Sequence, residues 1–281
     1  MLACSTSTCA CRLTPPRLCA GLSLWIGLLC VTGCASTTSP TGGPTVIVVD
    51  GAGWAGSERG VRAGLRAAGF RGHVETFSWS TLLGPLPDHL LVGRKERKGQ
   101  ELAKRIQDHR ATQPPADLHL MGLSAGSAVI VFALENLPPD VKVDNVVFFA
   151  PSISAEHDLS TAMERVRGCL YATSSPQDGI LAGLRVNADG QPGPPAGLHG
   201  LRVPSRVRRY DLYARVVNLS WRPAYDHLGW NGSHTGATGR QFVQEVIAPR
   251  ILSRGARPLD QPIAPAWIAR WRGSRFGAAS R

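Results

Sequence analysis

The stretch Leu118-His-Leu-Met-Gly-Leu-Ser-Ala-Gly-Ser-Ala-Val129 decides the fold. Residues 118–122 read as a strand, and small and apolar residues from about Ala125 to Asn136 read as the helix that follows. Between them lies Gly122-Leu123-Ser124-Ala125-Gly126, a G-x-S-x-G sequence squeezed into the turn. A strand that enters a helix this abruptly holds its central residue in a strained conformation, so the positions two before and two after must be nearly free of side chain. Gly122 and Gly126 meet that demand and leave Ser124 at the tip.

Strand-like and helix-like patterns alternate on both sides of this turn. Thr45-Val-Ile-Val-Val-Asp50 is a β-branched run suited to a parallel strand buried on both faces. Ser57 to Ala68 has helical spacing, with Val61, Leu65 and Ala68 on one side and Gly69 as its stop. His73 to Ser80 alternates as a strand does, and Lys98 to Thr112 reads as a charged helix with Leu102, Ile106 and His109 on one stripe. Further on come a strand over Val143 to Ala150, a polar helix over Ala155 to Arg167 and a strand over Cys169 to Ser174. A last strand spans Val216 to Trp221, and a closing helix spans Arg240 to Leu252. The expected class is α/β: a mostly parallel central sheet of about six strands with helices on both faces. Two Gly/Pro-rich stretches, Thr81 to Gly99 and Asn187 to Pro204, read as loops long enough to roof or flank a site.

The 281 residues carry a formal net charge of +11, with 43% hydrophobic and 18% charged residues. This excludes bulk disorder, and the absence of heptads and of 30–40-residue repeats argues against coiled coil and solenoid. Of seven cysteines, Cys4, Cys9, Cys11, Cys19, Cys30 and Cys34 fall in the first 34 residues, leaving Cys169 alone to be a buried small hydrophobe. A basic start (Arg12, Arg17) precedes an apolar run from Leu18 to Val31, too short to span a bilayer and suited to a secretory signal. The run ends in Val31-Thr-Gly-Cys34, which resembles the bacterial lipobox and implies lipidation of Cys34. The expected organisation is a signal segment 1–33, a tether 34–44, a domain over 45–253 and a basic tail over 254–281. That tail holds six arginines against Asp260, with Trp267, Trp271 and Phe276 interleaved, and suits an anionic lipid surface or packing on the body. The expected location is the bacterial envelope, lipid-anchored and facing the periplasm or the exterior; nucleic acid is not an expected partner of an exported domain.

A serine hydroxyl attacks a carbonyl only when a base takes its proton and a carboxylate orients that base. In sites built on this turn the three follow the chain order serine, acid, histidine. Asp178 comes just past the strand ending at Ser174 and therefore at the same sheet edge as Ser124; Asp158 competes for the role. His234, in Asn231-Gly-Ser-His-Thr-Gly236, is the favoured base because small neighbours let an imidazole approach closely, and His227 is the alternative. An oxyanion needs two aligned donors: the Ala125 amide would be one, and the amide of Ala52 or Gly53 after the first strand the other. No metal-ligand spacing and no phosphate-binding glycine motif accompanies these residues, so neither metal nor cofactor is expected.

Together the turn at Ser124 and the ordered Asp178 and His234 resemble the α/β-hydrolase superfamily, over about Thr45 to Leu252. The resemblance implies an esterase- or lipase-like serine hydrolase acting on a small-molecule carboxylic ester. It is trimmed, with no strands before Thr45 and no clear cap between Ala150 and Cys169, and Asp50 stands where such enzymes carry histidine in a His-Gly-x segment. The rival expectation is a hydrolase-like fold without catalysis that binds lipid or an envelope partner.

Overall fold

A computed structural model describes residues 42–53, 56–81, 84–252 and 260–264. The signal segment, Cys34 and all of the basic tail except 260–264 lie outside the described residues. Every described element belongs to one compact unit, Ser39–Arg281. Its elements are β1 (Thr45–Val49), α1 (Ser57–Ala67), β2 (His73–Phe77), α2 (Pro85–Leu90), α3 (Val92–Thr112), β3 (Leu118–Leu123) and α4 (Gly126–Glu135). There follow β4 (Asn145–Phe149), α5 (Ser160–Glu164), β5 (Leu170–Ser174), α6 (Gly179–Ala182), α7 (Ala196–His199) and β6 (Val216–Ser220). The closing helix runs as α8 (Arg240–Phe242), a π-helical stretch Val243–Ile247 and α9 (Ala248–Leu252).

The six strands form one sheet in the order β2-β1-β3-β4-β5-β6. Every pairing is parallel, so the sheet is wholly rather than mostly parallel. Side chains alternate across it. Ile47, Val49, Leu118, Leu120, Val146 and Phe148 face the core under α3 and α4, while Val46, Val48, Met121, Leu123, Val147 and Phe149 face the core under α1 and the closing helix. A sheet covered on both faces needs continuous apolar strands, and β1, β3, β4 and β5 are buried throughout. With helices on both faces of this sheet, the molecule is a three-layer α/β architecture around one parallel six-stranded sheet.

Three segments differ from the sequence expectation. Within the stretch 81–99, residues 85–90 and 92–99 are helical rather than loop: Pro85 starts α2 and α3 begins at Val92, making it longer than the charged stripe implies. Proline at the first helical position is preorganised for a helix start, which explains α2 in a Gly/Pro-rich sequence. The polar helix shrinks to α5, and the closing helix widens into its π stretch just before Pro249, whose ring excludes the carbonyl four residues earlier. Beyond it, Asp260 accepts from Arg250, and Ile263 N–H donates to Val216 O at 2.9 Å, so residues 260–264 close back onto β6.

Candidate active site

Parallel strands bring their C-terminal ends to one edge, and register fixes which residues meet there. Val49 pairs with Gly122, and Gly122 with Phe148. Ala52 and Gly53 therefore leave β1 beside the point where Ser124 and Ala125 leave β3. Ser124 has φ 52°, one of two non-glycine residues in the left-handed region among those described. Such a backbone costs on the order of 1–3 kcal/mol and persists only where its surroundings impose it. Here they do: Ser124 N–H donates to Phe149 O at 2.8 Å, while its carbonyl accepts from the Ser127 amide at 3.0 Å and the Ser127 hydroxyl at 2.6 Å. A Cβ at Gly126 would lie 2.5 Å from Asp50 O and 2.6 Å from Val49 O, and one at Gly122 2.7 Å from Ile130 Cδ1. Both glycines are needed for α4 to start tight against β1. The amide of Ala125 sits at the N-terminus of α4, where donors lack intrahelical partners and the helix dipole favours negative charge.

Asp178 is buried and makes two kinds of contact. Its Oδ1 accepts from the amides of Ile180 (3.1 Å) and Leu181 (3.0 Å), capping α6, and its Oδ2 accepts from His234 Nδ1 at 2.7 Å. The cap fixes the carboxylate, and the remaining oxygen fixes the imbalance between the two imidazole nitrogens: Nδ1 carries the proton, leaving Nε2 as the basic atom. Both side chains are nearly excluded from solvent, at 1% and 4% exposure. The competing Asp158 is committed elsewhere, accepting from the amide and hydroxyl of Ser160 and from the Tyr213 hydroxyl. His227, the alternative base, is exposed on a 3₁₀ turn over Pro223–Leu228.

The loop that carries His234 is fastened, contrary to the flexible character its glycines suggest. Trp230 stacks on Tyr225 (centroids 5.7 Å apart), and Phe242 meets both edge-on at 4.8 and 5.2 Å. Trp221 Nε1 donates to Trp230 O, and Trp230 Nε1 to Ser233 O. Gly232, at φ +86°, passes so close to β5's exit that a Cβ would lie 2.8 Å from Ser175 Oγ. Tyr225, Trp230 and Phe242 escaped the sequence reading, since nothing in their spacing says that they converge.

Two further polar clusters adjoin the site. Asp88 on α2 accepts from the amide and hydroxyl of Thr81, both at 2.7 Å, and Lys95 Nζ donates to the carbonyls of Asp88 and His89. Burial, partly opposed by Asp189 and Asp88, brings Lys95 down to about 8. His89 Nε2 donates to Val186 O at 2.8 Å, and burial, with the nearby Lys95 and His234, favours its neutral form. His157 donates through Nδ1 to Asp189 (2.8 Å) and through Nε2 to Glu135 (3.4 Å); burial works against its charge, but these two carboxylates prevail and raise it to about 9. Asp50 is raised by burial against a bond from the Ser57 hydroxyl. Cys169 is a free, buried thiol, raised by burial. Among the described residues no helix is long and apolar enough to cross a bilayer.

No family model and no curated protein sequence matches the chain. Among solved structures it is similar to Est1E from Butyrivibrio proteoclasticus, at 12% identity and TM-score 0.42 over 77% of this chain and 90% of the other. It is similar to a Trichoderma reesei cutinase in complex with a phosphonate inhibitor, at 19% identity and TM-score 0.40 over 53% and 73%. A carboxylesterase, CesB, from Bacillus subtilis follows at 12% identity and TM-score 0.36 over 76% and 85%.

Proposed function

We propose that the chain is a serine hydrolase that cleaves carboxylic esters. Ser124 Oγ attacks the carbonyl carbon while His234 Nε2 takes its proton. The oxyanion that forms is met by the amide of Ala125 and that of Ala52 or Gly53, at the positive end of α4. Collapse of the tetrahedral species breaks the bond to the leaving oxygen, to which His234 returns the proton, leaving an acyl-serine. Water, deprotonated by the same imidazole, then attacks the acyl carbon; the acid departs and Ser124 Oγ regains its proton. Asp178 holds the tautomer and stabilises the imidazolium formed in each half.

One observation carries this reading: a buried imidazole hydrogen-bonded at 2.7 Å to a buried, capped carboxylate, on the sheet edge where a serine sits at φ 52°. Purified protein should release nitrophenolate from nitrophenyl esters of short acids, and Ser124→Ala should lower the rate by about four to six orders of magnitude. A Ser124→Ala rate equal to wild type would overturn the assignment. The apolar run ending at Val31-Thr-Gly-Cys34 supports a lipid tether to the envelope as part of the same reading. Mass spectrometry of protein from an exporting bacterial host should show the mature chain starting at an acylated Cys34; an unmodified Cys34 in the exported protein would remove the tether.

A further inference from the structure

Six large hydrophobic side chains stand exposed among the described residues, and five of them sit on the two lips of the candidate site. Leu86, Leu90 and Leu91, at 64%, 47% and 50% exposure, lie on α2 and the residue after it. Ile180 and Val186, at 43% and 45%, lie on α6 and the segment beyond it. The sixth, Leu252, ends α9. Both lips are tied to the reacting groups. The Cβ position of Gly53 is 2.8 Å from Pro85 N, so α2 starts against the loop that offers the second oxyanion donor. The Ile180 amide donates to Asp178 Oδ1. Across the gap, His89 on α2 donates to the carbonyl of Val186, joining one lip to the other.

This arrangement is built rather than incidental. Asp88 and His89 face inward, where Thr81, Lys95 and Val186 hold them, and the fastened helix keeps its leucines turned to solvent. Each such half-exposed leucine forgoes roughly half of the ~1.5–3 kcal/mol that full burial would give, and exposed apolar side chains gathered beside a candidate site mark a surface suited to being covered. The surroundings of the rim point to what covers it. Arg185 is exposed beside Val186, and Arg97 is exposed beside Glu96 on α3, which starts directly after Leu91; Arg94 and Lys98 of the same helix are already engaged, by the Trp79 carbonyl and by Glu101. Apolar residues backed by cations match a layer of acyl chains beneath anionic headgroups.

We infer that this rim docks on a lipid–water interface, so that the ester attacked by Ser124 is presented from a lipid layer rather than from free solution. The inference rests on the ester-hydrolase reading for its meaning, but its test does not. The chain from Ser39 onward, the compact unit, is prepared with Ser124→Ala throughout, so that no substrate is turned over. It is mixed with unilamellar vesicles of phosphatidylcholine containing about one third phosphatidylglycerol. It should co-sediment with them. Adding Leu86→Ser, Leu90→Ser and Leu91→Ser together should weaken binding at least about tenfold, while Leu252→Ser changes it less than about twofold. Leu90→Ser alone, with an expected loss of about two- to fivefold, covers the case in which the triple variant fails to fold. Absence of vesicle binding would overturn the inference. So would binding that tracks phosphatidylglycerol and ignores the leucines, which is mere adsorption of a basic protein. Self-association lost with the leucines, in the absence of vesicle binding, would assign the rim to a second copy of the chain. Failure of ester hydrolysis would sink the proposed function and leave this result standing.

Discussion

At the residue scale the site depends on positions where no other side chain fits. Ser124 could be recognised from its sequence because the two flanking glycines state a steric requirement on their own: a Cβ at 126 would be driven into the carbonyls of Val49 and Asp50. Gly126→Ala should therefore lower stability by about 1–3 kcal/mol, read as a shift in denaturation midpoint, and a midpoint equal to wild type would show that the turn has room to spare. The pairing of His234 with Asp178 was half legible. Small neighbours favoured His234 over His227, but the cap that immobilises Asp178 required knowing that Ile180 and Leu181 turn their amides back onto it. His234→Ala should cut ester hydrolysis by at least about three orders of magnitude, whereas His227→Ala should leave it within about twofold. Equal losses would mean that the exposed imidazole takes part.

At the element scale, strands were easier to read than the segments that dress the site. The β-branched and apolar runs of β1, β3, β4 and β5 announce burial on both faces, because a polar residue there would have to be desolvated. The helix α2 and the anchoring of the His234 loop stayed hidden for a physical reason: α2 is held by side-chain bonds from Thr81 and Lys95, and the loop by an aromatic trio drawn from residues 225, 230 and 242. Such contacts leave no periodicity. Trp230→Ala should cost about 3–5 kcal/mol. For a domain of this size that is roughly 6–20 °C in Tm by differential scanning calorimetry. Because the same ring fixes the His234 loop, kcat should fall more than tenfold at a temperature where the variant is folded. An unchanged kcat would show that the His234 imidazole is held by a support other than this cluster.

At the scale of the whole molecule, the sheet edge brings together groups that are remote in sequence, and its pH response follows from one of them. His157 ties Asp189 to Glu135 on α4 as an imidazolium raised to about 9 from an ordinary 6.5. A raised histidine stabilises the fold fully below about 6.5, and that contribution fades as pH rises and is lost above about 9. Lys95, lowered to about 8, acts in the opposite sense above that pH. The difference in Tm between wild type and His157→Gln isolates the histidine: it should be largest at pH 6 and nearly vanish by pH 10. A difference that grows with pH would contradict the assignment.

The central claim is that Ser124, Asp178 and His234 act as one unit although the chain separates them widely. Mass spectrometry of the intact protein after exposure to a fluorophosphonate tests this most directly. A single adduct is expected, mapped to Ser124, absent in Ser124→Ala, slowed at least about a hundredfold in His234→Ala and unchanged in His227→Ala. An adduct that persists in Ser124→Ala, or forms at the wild-type rate without His234, would contradict the claim.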